Sequence, residues 1–113
     1  MPKEPVEYLK HIRDESSYIL SVITPDTSKD HFLTDETLKR AIVRSLEVIG
    51  EATKKIPANF KLKWNQIKWK NMAGMRERLI DDYMGINYSI VWDVAKNKIP
   101  ELHKQILEVL EKE

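Results

Sequence analysis

The stretch whose reading decides the fold is "TDETLKRAIVRSLEVIGEATKKIP", residues 34–57. Leu38, Ile42, Ser45, Ile49, Ala52 and Ile56 follow one another by alternating steps of four and three. That rhythm matches 3.6 residues per turn and places all six on one face of a long helix. Thr34 suits the N-cap, and Asp35 and Glu36 are favourable in a first turn, where the helix dipole attracts negative charge. Lys54 and Lys55 suit the opposite end, and Pro57 stops the helix. Gly50 stands inside it at a cost of about 1 kcal/mol relative to alanine. A glycine kept there predicts that another helix crosses close by.

Outward from this helix the chain reads as further helical pieces. Residues 5–24 carry Leu9, Ile12, Ser16, Ile19 and Ile23 on one face, with Pro5 fitting the first turn and Pro25 forbidding continuation. "PDTSKDHFL" is expected as a loop or a single helical turn. "ANFKLKWNQIKW" has aromatic residues without a period and is expected as a loop over the end of the bundle. A third helix is predicted from about Trp69 to Tyr83, with Met72, Met75, Leu79 and Ile80 on its buried stripe and Gly85 as its C-cap. Asn87 is expected to cap a fourth helix ending near Asn97, and Pro100 to start a short last one. No segment sustains a period of two, so strands are not expected. The prediction is an all-α, up-and-down bundle of four main helices plus a short C-terminal helix, in one domain spanning residues 1–113. A bundle this small often leaves an apolar stripe uncovered, and a homodimer would bury it.

Composition narrows the function. The 113 residues include 19 Lys and Arg against 18 Asp and Glu, so bulk charge argues against a nucleic-acid coat protein and leaves room for a local basic site. Cysteine is absent, which excludes a disulfide framework, a zinc–thiolate site and a thiol nucleophile. No apolar run reaches the roughly 20 residues of a membrane helix, and "MPKEPVEYLK" has no apolar core of a signal peptide. A cytoplasmic protein fits all of this. His11, His31 and His103 lack the spacing of a helical metal motif and read as surface or partly buried histidines. Trp64 and Trp69, set between lysines, read first as anchoring rings and second as platforms for stacked bases.

The chemistry concentrates in "MRERLIDDYMG", residues 75–85. Glu77 and Asp81 are four apart, as are Arg78 and Asp82, which could pair for about 0.3–0.5 kcal/mol on a surface. Arg76 and Tyr83 are seven apart, so a continuous helix would set them on one face, at the edge of the apolar stripe. Arginine binds phosphate through two parallel hydrogen bonds.

At these residues the chain resembles HepT-type proteins, compact members of the HEPN superfamily. The likeness runs through "YLKHIRDE", "FLTDETLKRAIVRSLEVIGEATKKIP", "IKW" and "GMRERLIDDYMGINYSIVWDVAKNKIPEL". It implies an all-α homodimer and a metal-independent endoribonuclease toxin that needs no cofactor. It also implies a minimal nucleotidyltransferase antitoxin as partner and RNA as substrate. The family motif is R-x-x-x-x-H-x-Y. Arg76 matches its arginine and Tyr83 its tyrosine, to which the partner attaches AMP in that family. Asp81 occupies the histidine position, and Glu77 stands where a polar Asn is common. Histidine titrates near 6.5 and can both take and give a proton at neutrality, whereas an ordinary aspartate, near 3.9, is already ionised. The resemblance therefore implies a site of Arg76, Asp81 and Glu77 whose cleavage is weakened or lost. The alternative is a non-catalytic HEPN dimer that binds nucleotide, RNA or the antitoxin.

Overall fold

The computed structural model describes residues 4–81 and 85–113, and of Ile80 and Asp81 the backbone alone. Helix α1 (Pro5–Val22) starts with its proline in the first turn and buries Leu9, Ile12, Ser16 and Ile19. A short helix α2 (Lys29–Thr34) follows, and then the 19-residue α3 (Glu36–Lys54). The sequence pointed to Thr34 as the cap of α3. Its hydroxyl instead donates back to the Asp30 and His31 carbonyls and closes α2. Asp35 caps α3, its carboxylate accepting the Leu38 N–H at 3.0 Å. Of the stripe expected on α3, Ile42, Ser45, Ile49, Ala52 and Ile56 are buried, and Leu38 is half-buried.

Helices α1 and α3 pack along each other, and α1 also packs against the last helix, α8 (Ile99–Lys112). Leu9, Ile12, Ile19, Ile42, Leu46, Ile49, Ile106 and Val109 are fully buried in this three-helix seam. Each such side chain is worth about 1.5–3 kcal/mol when removed from water. The one hydroxyl on the α1 stripe is satisfied there. Ser16 Oγ donates to the Arg13 carbonyl at 3.0 Å and lies 2.8 Å from His103 Nδ1 on α8.

The all-α bundle expected from periodicity is what the chain builds, with three differences in detail. First, the aromatic segment is not all loop. Residues Ala58–Lys63 form α4, and Trp69 is buried, its indole N–H shared between the Lys61 and Trp64 carbonyls at 3.1 and 2.9 Å. Trp64 donates to Glu113 Oε2 at 2.9 Å, an oxygen that Lys63 also holds at 2.8 Å. Both indole N–H groups are therefore used in anchoring, and Trp69 is buried and offers no face to a base, while Trp64 is half-buried.

Second, the predicted third helix breaks up. It consists of α5 (Trp69–Ala73) and α6 (Met75–Leu79), separated at Gly74. Beyond Leu79 the backbone is extended: β1 (Ile80–Asp81) pairs antiparallel with β2 (Gly85–Ile86), Ile80 opposite Ile86 and Asp81 opposite Gly85. Two successive aspartates are poor residues for a helix C-terminus, where carbonyl dipoles already concentrate negative charge. The Asn87 N–H caps this exit by donating to the Leu79 carbonyl at 2.8 Å. Gly85 has φ +79, a left-handed conformation, but it serves the strand pair rather than a helix end.

Third, Pro100 sits in the first turn of the last helix as expected, but that helix follows α7 without a break. Asn87 caps α7 (Tyr88–Asp93) as expected, its side chain accepting the Ile90 N–H. A π-helical segment, Val94–Lys98, then carries α7 directly into α8. The Ile99 N–H reaches back to the Val94 carbonyl, and this wider turn accommodates a proline that has no N–H to give and a ring that would crowd a normal turn. The last two predicted helices are thus one rod over residues 88–112.

The crossing predicted at Gly50 is present. A Cβ built there would lie 3.3 Å from the Met72 carbonyl oxygen and 3.9 Å from that of Ala73, so α5 crosses α3 backbone to backbone. Gly50→Leu is expected to lower stability by about 1–3 kcal/mol through overpacking, despite the gain in helix propensity. A denaturant midpoint equal to or above the parent's would contradict the close crossing. Among the described residues, no helix is long and apolar enough to cross a membrane.

Candidate functional site

Helix α6 has five residues, and its two apolar side chains, Met75 and Leu79, are buried. That leaves Arg76, Glu77 and Arg78 exposed, fanned over the outer half of one turn. Arg76 and Arg78 are about 200° apart around the axis, so they serve opposite flanks.

Arg76 lines a cavity of about 210 Å³ together with Val43 and Glu47 of α3, Leu79, and Gly85 and Ile86 of β2. Among the described residues, its titratable lining groups are Arg76 and Glu47. None of the three histidines lines it: His11 is exposed, His31 sits 3.7 Å from Asp35 on the surface, and His103 meets Ser16. Gly85 is the backbone partner of Asp81, so the strand pair sets the Asp81 backbone beside the wall of the arginine's cavity.

The route by which these residues gather differs from the expected one. A continuous helix was to place Arg76 with Tyr83, and Glu77 with Asp81, by periodicity. The helix ends at Leu79 and Asp81 lies in a strand, so the pairing of Glu77 with Asp81 by helical face does not hold, and that of Arg76 with Tyr83 falls outside the described residues. Asp81 reaches the neighbourhood of Arg76 through an antiparallel strand pair instead. The Asp81 side chain, Asp82 and Tyr83 lie outside the described residues.

Glu77 faces a different neighbour. Its Oε1 is 3.3 Å from Lys54 Nζ at the end of α3, and that ammonium also reaches Glu51 at 3.6 Å. A hydrogen bond from its own backbone N–H, and then Lys54, hold its carboxyl below the usual carboxylate range, with Arg76 adding a smaller pull. A carboxylate held ionised in this way neither donates a proton at neutral pH nor accepts one readily. Its contacts bind α6 to α3.

Arg78 lies on the other flank, over a second cavity of about 160 Å³. Its floor is the buried apolar set Met72, Met75, Val94, Ile99 and Leu102. Glu47 and this second cavity went unnoticed in the sequence. Glu47 had a usable signal, since it stands one turn after Val43 on the flank of the α3 stripe. The cavity had none, because its walls come from α5, α6, the π segment and α8. Among the described residues, no group of three or more His, Asp or Glu is placed to hold a metal ion.

The chemistry available at the first cavity is that of a guanidinium sharing its walls with one described carboxylate, Glu47. Such a cation can grip a phosphate and stabilise the charge that builds on it during displacement. Comparison with known proteins agrees. The family model described as "Ribonuclease HepT-like" matches residues 7–109. The chain belongs to the HepT-like ribonuclease family. A relative in Caldanaerobacter subterraneus subsp. tengcongensis, named as a candidate RNase, is 45% identical over 111 residues, covering 98% of each chain. Another candidate RNase, from Methanocaldococcus jannaschii, is 44% identical over 111 residues, covering 97% of this chain and 91% of its own. The "Probable ribonuclease HepT" of Thermococcus cleftensis is 36% identical over 102 residues, covering 90% of this chain and 92% of its own. No solved structure matches the chain significantly.

Proposed function

We propose that this HepT-like chain is the toxin of a toxin–antitoxin pair whose other member is a minimal nucleotidyltransferase. It is a cytoplasmic homodimer that cleaves RNA without a metal, slowly, because Asp81 replaces the motif histidine, and it is silenced by AMP on Tyr83. The observation that supports this reading is Arg76. It is exposed, no ion pair joins it to another described residue, and it lines the cavity whose wall includes the backbone partner of Asp81.

In cleavage the RNA 2′-oxygen attacks the adjacent phosphorus, the P–O5′ bond breaks, and the 5′-oxygen leaves with a proton. Arg76 neutralises the phosphate oxygens. Asp81, ionised at neutrality, can take the 2′-proton weakly but has none for the leaving oxygen. Protonation of that oxygen then falls to water, which makes the step slow.

Silencing is a group transfer. The Tyr83 phenol oxygen attacks the α-phosphorus of ATP, pyrophosphate leaves, and the phenolic proton is lost to a base. Co-expression with the partner nucleotidyltransferase is expected to add one AMP to the chain, detected in the intact mass, and Tyr83→Phe to abolish the addition. An unmodified Tyr83 under those conditions would count against regulation by AMP. The absence of a histidine from the Arg76 cavity also favours a second reading, in which the dimer binds RNA, nucleotide or antitoxin without cutting.

A further inference from the structure

The cavity under Arg78 has a composition that the cleavage chemistry does not use. Three carboxamides, Gln66, Asn71 and Gln105, stand on its rim above the apolar floor. Gln105 is placed by its own hydrogen bond, Nε2 donating to the Gln66 carbonyl at 3.4 Å. Three exposed cations, Lys68, Arg78 and Lys98, share the rim with a single carboxylate, Glu101. No ion pair joins any of the three to another described residue. The π segment contributes its two ends, Val94 to the floor and Lys98 to the rim, and such widened turns recur at functional sites.

Each layer restricts the occupant. An apolar floor of this kind gives a bare phosphate nothing to bind. Unpaired cations over it favour a ligand that carries negative charge as well as an apolar face. Carboxamides both donate and accept, which suits the edge of a nucleobase. The volume is below the roughly 300–1,000 Å³ of ordinary small-molecule sites, so it admits one ring system with the rest of the ligand outside.

We propose that this cavity is a base-reading subsite for single-stranded RNA. One base lies on the apolar floor, its edge is read by the carboxamides, and the flanking phosphate is held by Arg78 and Lys98. The proposal rests on the ribonuclease reading in one respect: a strand laid across α6 meets Arg76 on one flank and Arg78 on the other, so the subsite selects which phosphate is presented for cleavage.

The test is fluorescence anisotropy of labelled eight-nucleotide homopolymers of A, C, G and U over a range of salt. The parent is compared with Arg78→Ala/Lys98→Ala and Asn71→Ala/Gln105→Ala, with melting temperatures confirming that each variant is folded. The first pair is expected to weaken binding about tenfold or more and to flatten the logarithmic salt slope by roughly 1.4, near 0.7 per cation removed. The second pair should leave that slope unchanged and level the preference among the four oligomers. Oligomers carrying 4-thiouridine should cross-link within residues 66–75 or 94–105. Unchanged binding in both pairs, or cross-links confined elsewhere, overturns the subsite. Free AMP bound as tightly as the oligomers, and weakened equally by Arg78→Ala/Lys98→Ala, overturns an RNA strand as occupant in favour of a mononucleotide. RNA held through Arg78 and Lys98 but never cut supports the subsite while the ribonuclease reading fails. RNA cut by the parent with binding indifferent to both pairs does the reverse.

Discussion

Asp81→His is expected to raise RNA cleavage by about 10²–10⁴-fold, the range that a positioned general acid or base contributes. The backbone place of residue 81 and the identity of its side chain are enough to expect this. The strand pair puts position 81 opposite Gly85, and Gly85 belongs to the cavity that Arg76 lines. An imidazole there titrates near 6.5 and can take the 2′-proton or protonate the leaving oxygen, where a carboxylate near 3.9 can only accept. It also removes one negative charge from beside the incoming phosphodiester. The measurement is initial cleavage rate on a labelled RNA, with chelator present, for the parent and the variant from pH 5 to 9. The variant should show a maximum near neutrality. Equal and robust cleavage by both proteins would sink the idea that position 81 limits the rate.

Arg76→Ala is expected to reduce cleavage by about 10²–10³-fold, comparable to losing one preorganised donor to a charged transition state. The loss is best read in the Asp81→His background, where the rate is high enough to fall measurably. Arg76→Lys should recover only part of it, because an ammonium cannot present two parallel N–H groups to one phosphate. Stability should hardly move, since the side chain is exposed and has no ion pair among the described residues. Full activity in Arg76→Ala would remove the arginine from the site and favour a bundle that binds without chemistry. A fall in melting temperature matching the fall in rate would mean that Arg76 acts on the fold instead.

These two experiments concern residues that were visible in the sequence, but the strand pair that sets the Asp81 backbone opposite Gly85 was not. Arg76, Asp81 and Tyr83 stand out through a motif, and helical periodicity pairs Arg76 with Tyr83 and Glu77 with Asp81. Periodicity describes a helix only while the helix lasts, and α6 stops at Leu79. Glu77 illustrates the same limit. As a carboxylate beside the motif arginine it invited a chemical role, yet it is tied to Lys54, 23 residues earlier in the chain, and held ionised. Trp64 and Trp69 between lysines allowed two readings, and for Trp69 burial decides for anchoring, while the Trp64 N–H is anchored on Glu113. Pro100 was given a local meaning, the start of a helix. The observed π turn depends on a bonding choice five residues long that no single residue type announces.

What the sequence determined by itself were the properties that neighbouring residues impose on one another. The buried stripe of α3, the cap at Asn87, the proline start of α1 and the all-α class all follow from spacing within a few turns of chain. So does the close crossing at Gly50, because a glycine that weakens its own helix needs a neighbour to explain it. The tertiary structure alone decided which flank of α6 each arginine serves, that Glu47 shares the cavity of Arg76, and that a second cavity opens under Arg78. Those facts depend on where α3, α8 and the β1–β2 pair come to rest against a five-residue helix. Contacts across such distances are chosen by packing the whole core at once, and no local pattern in the chain encodes them separately.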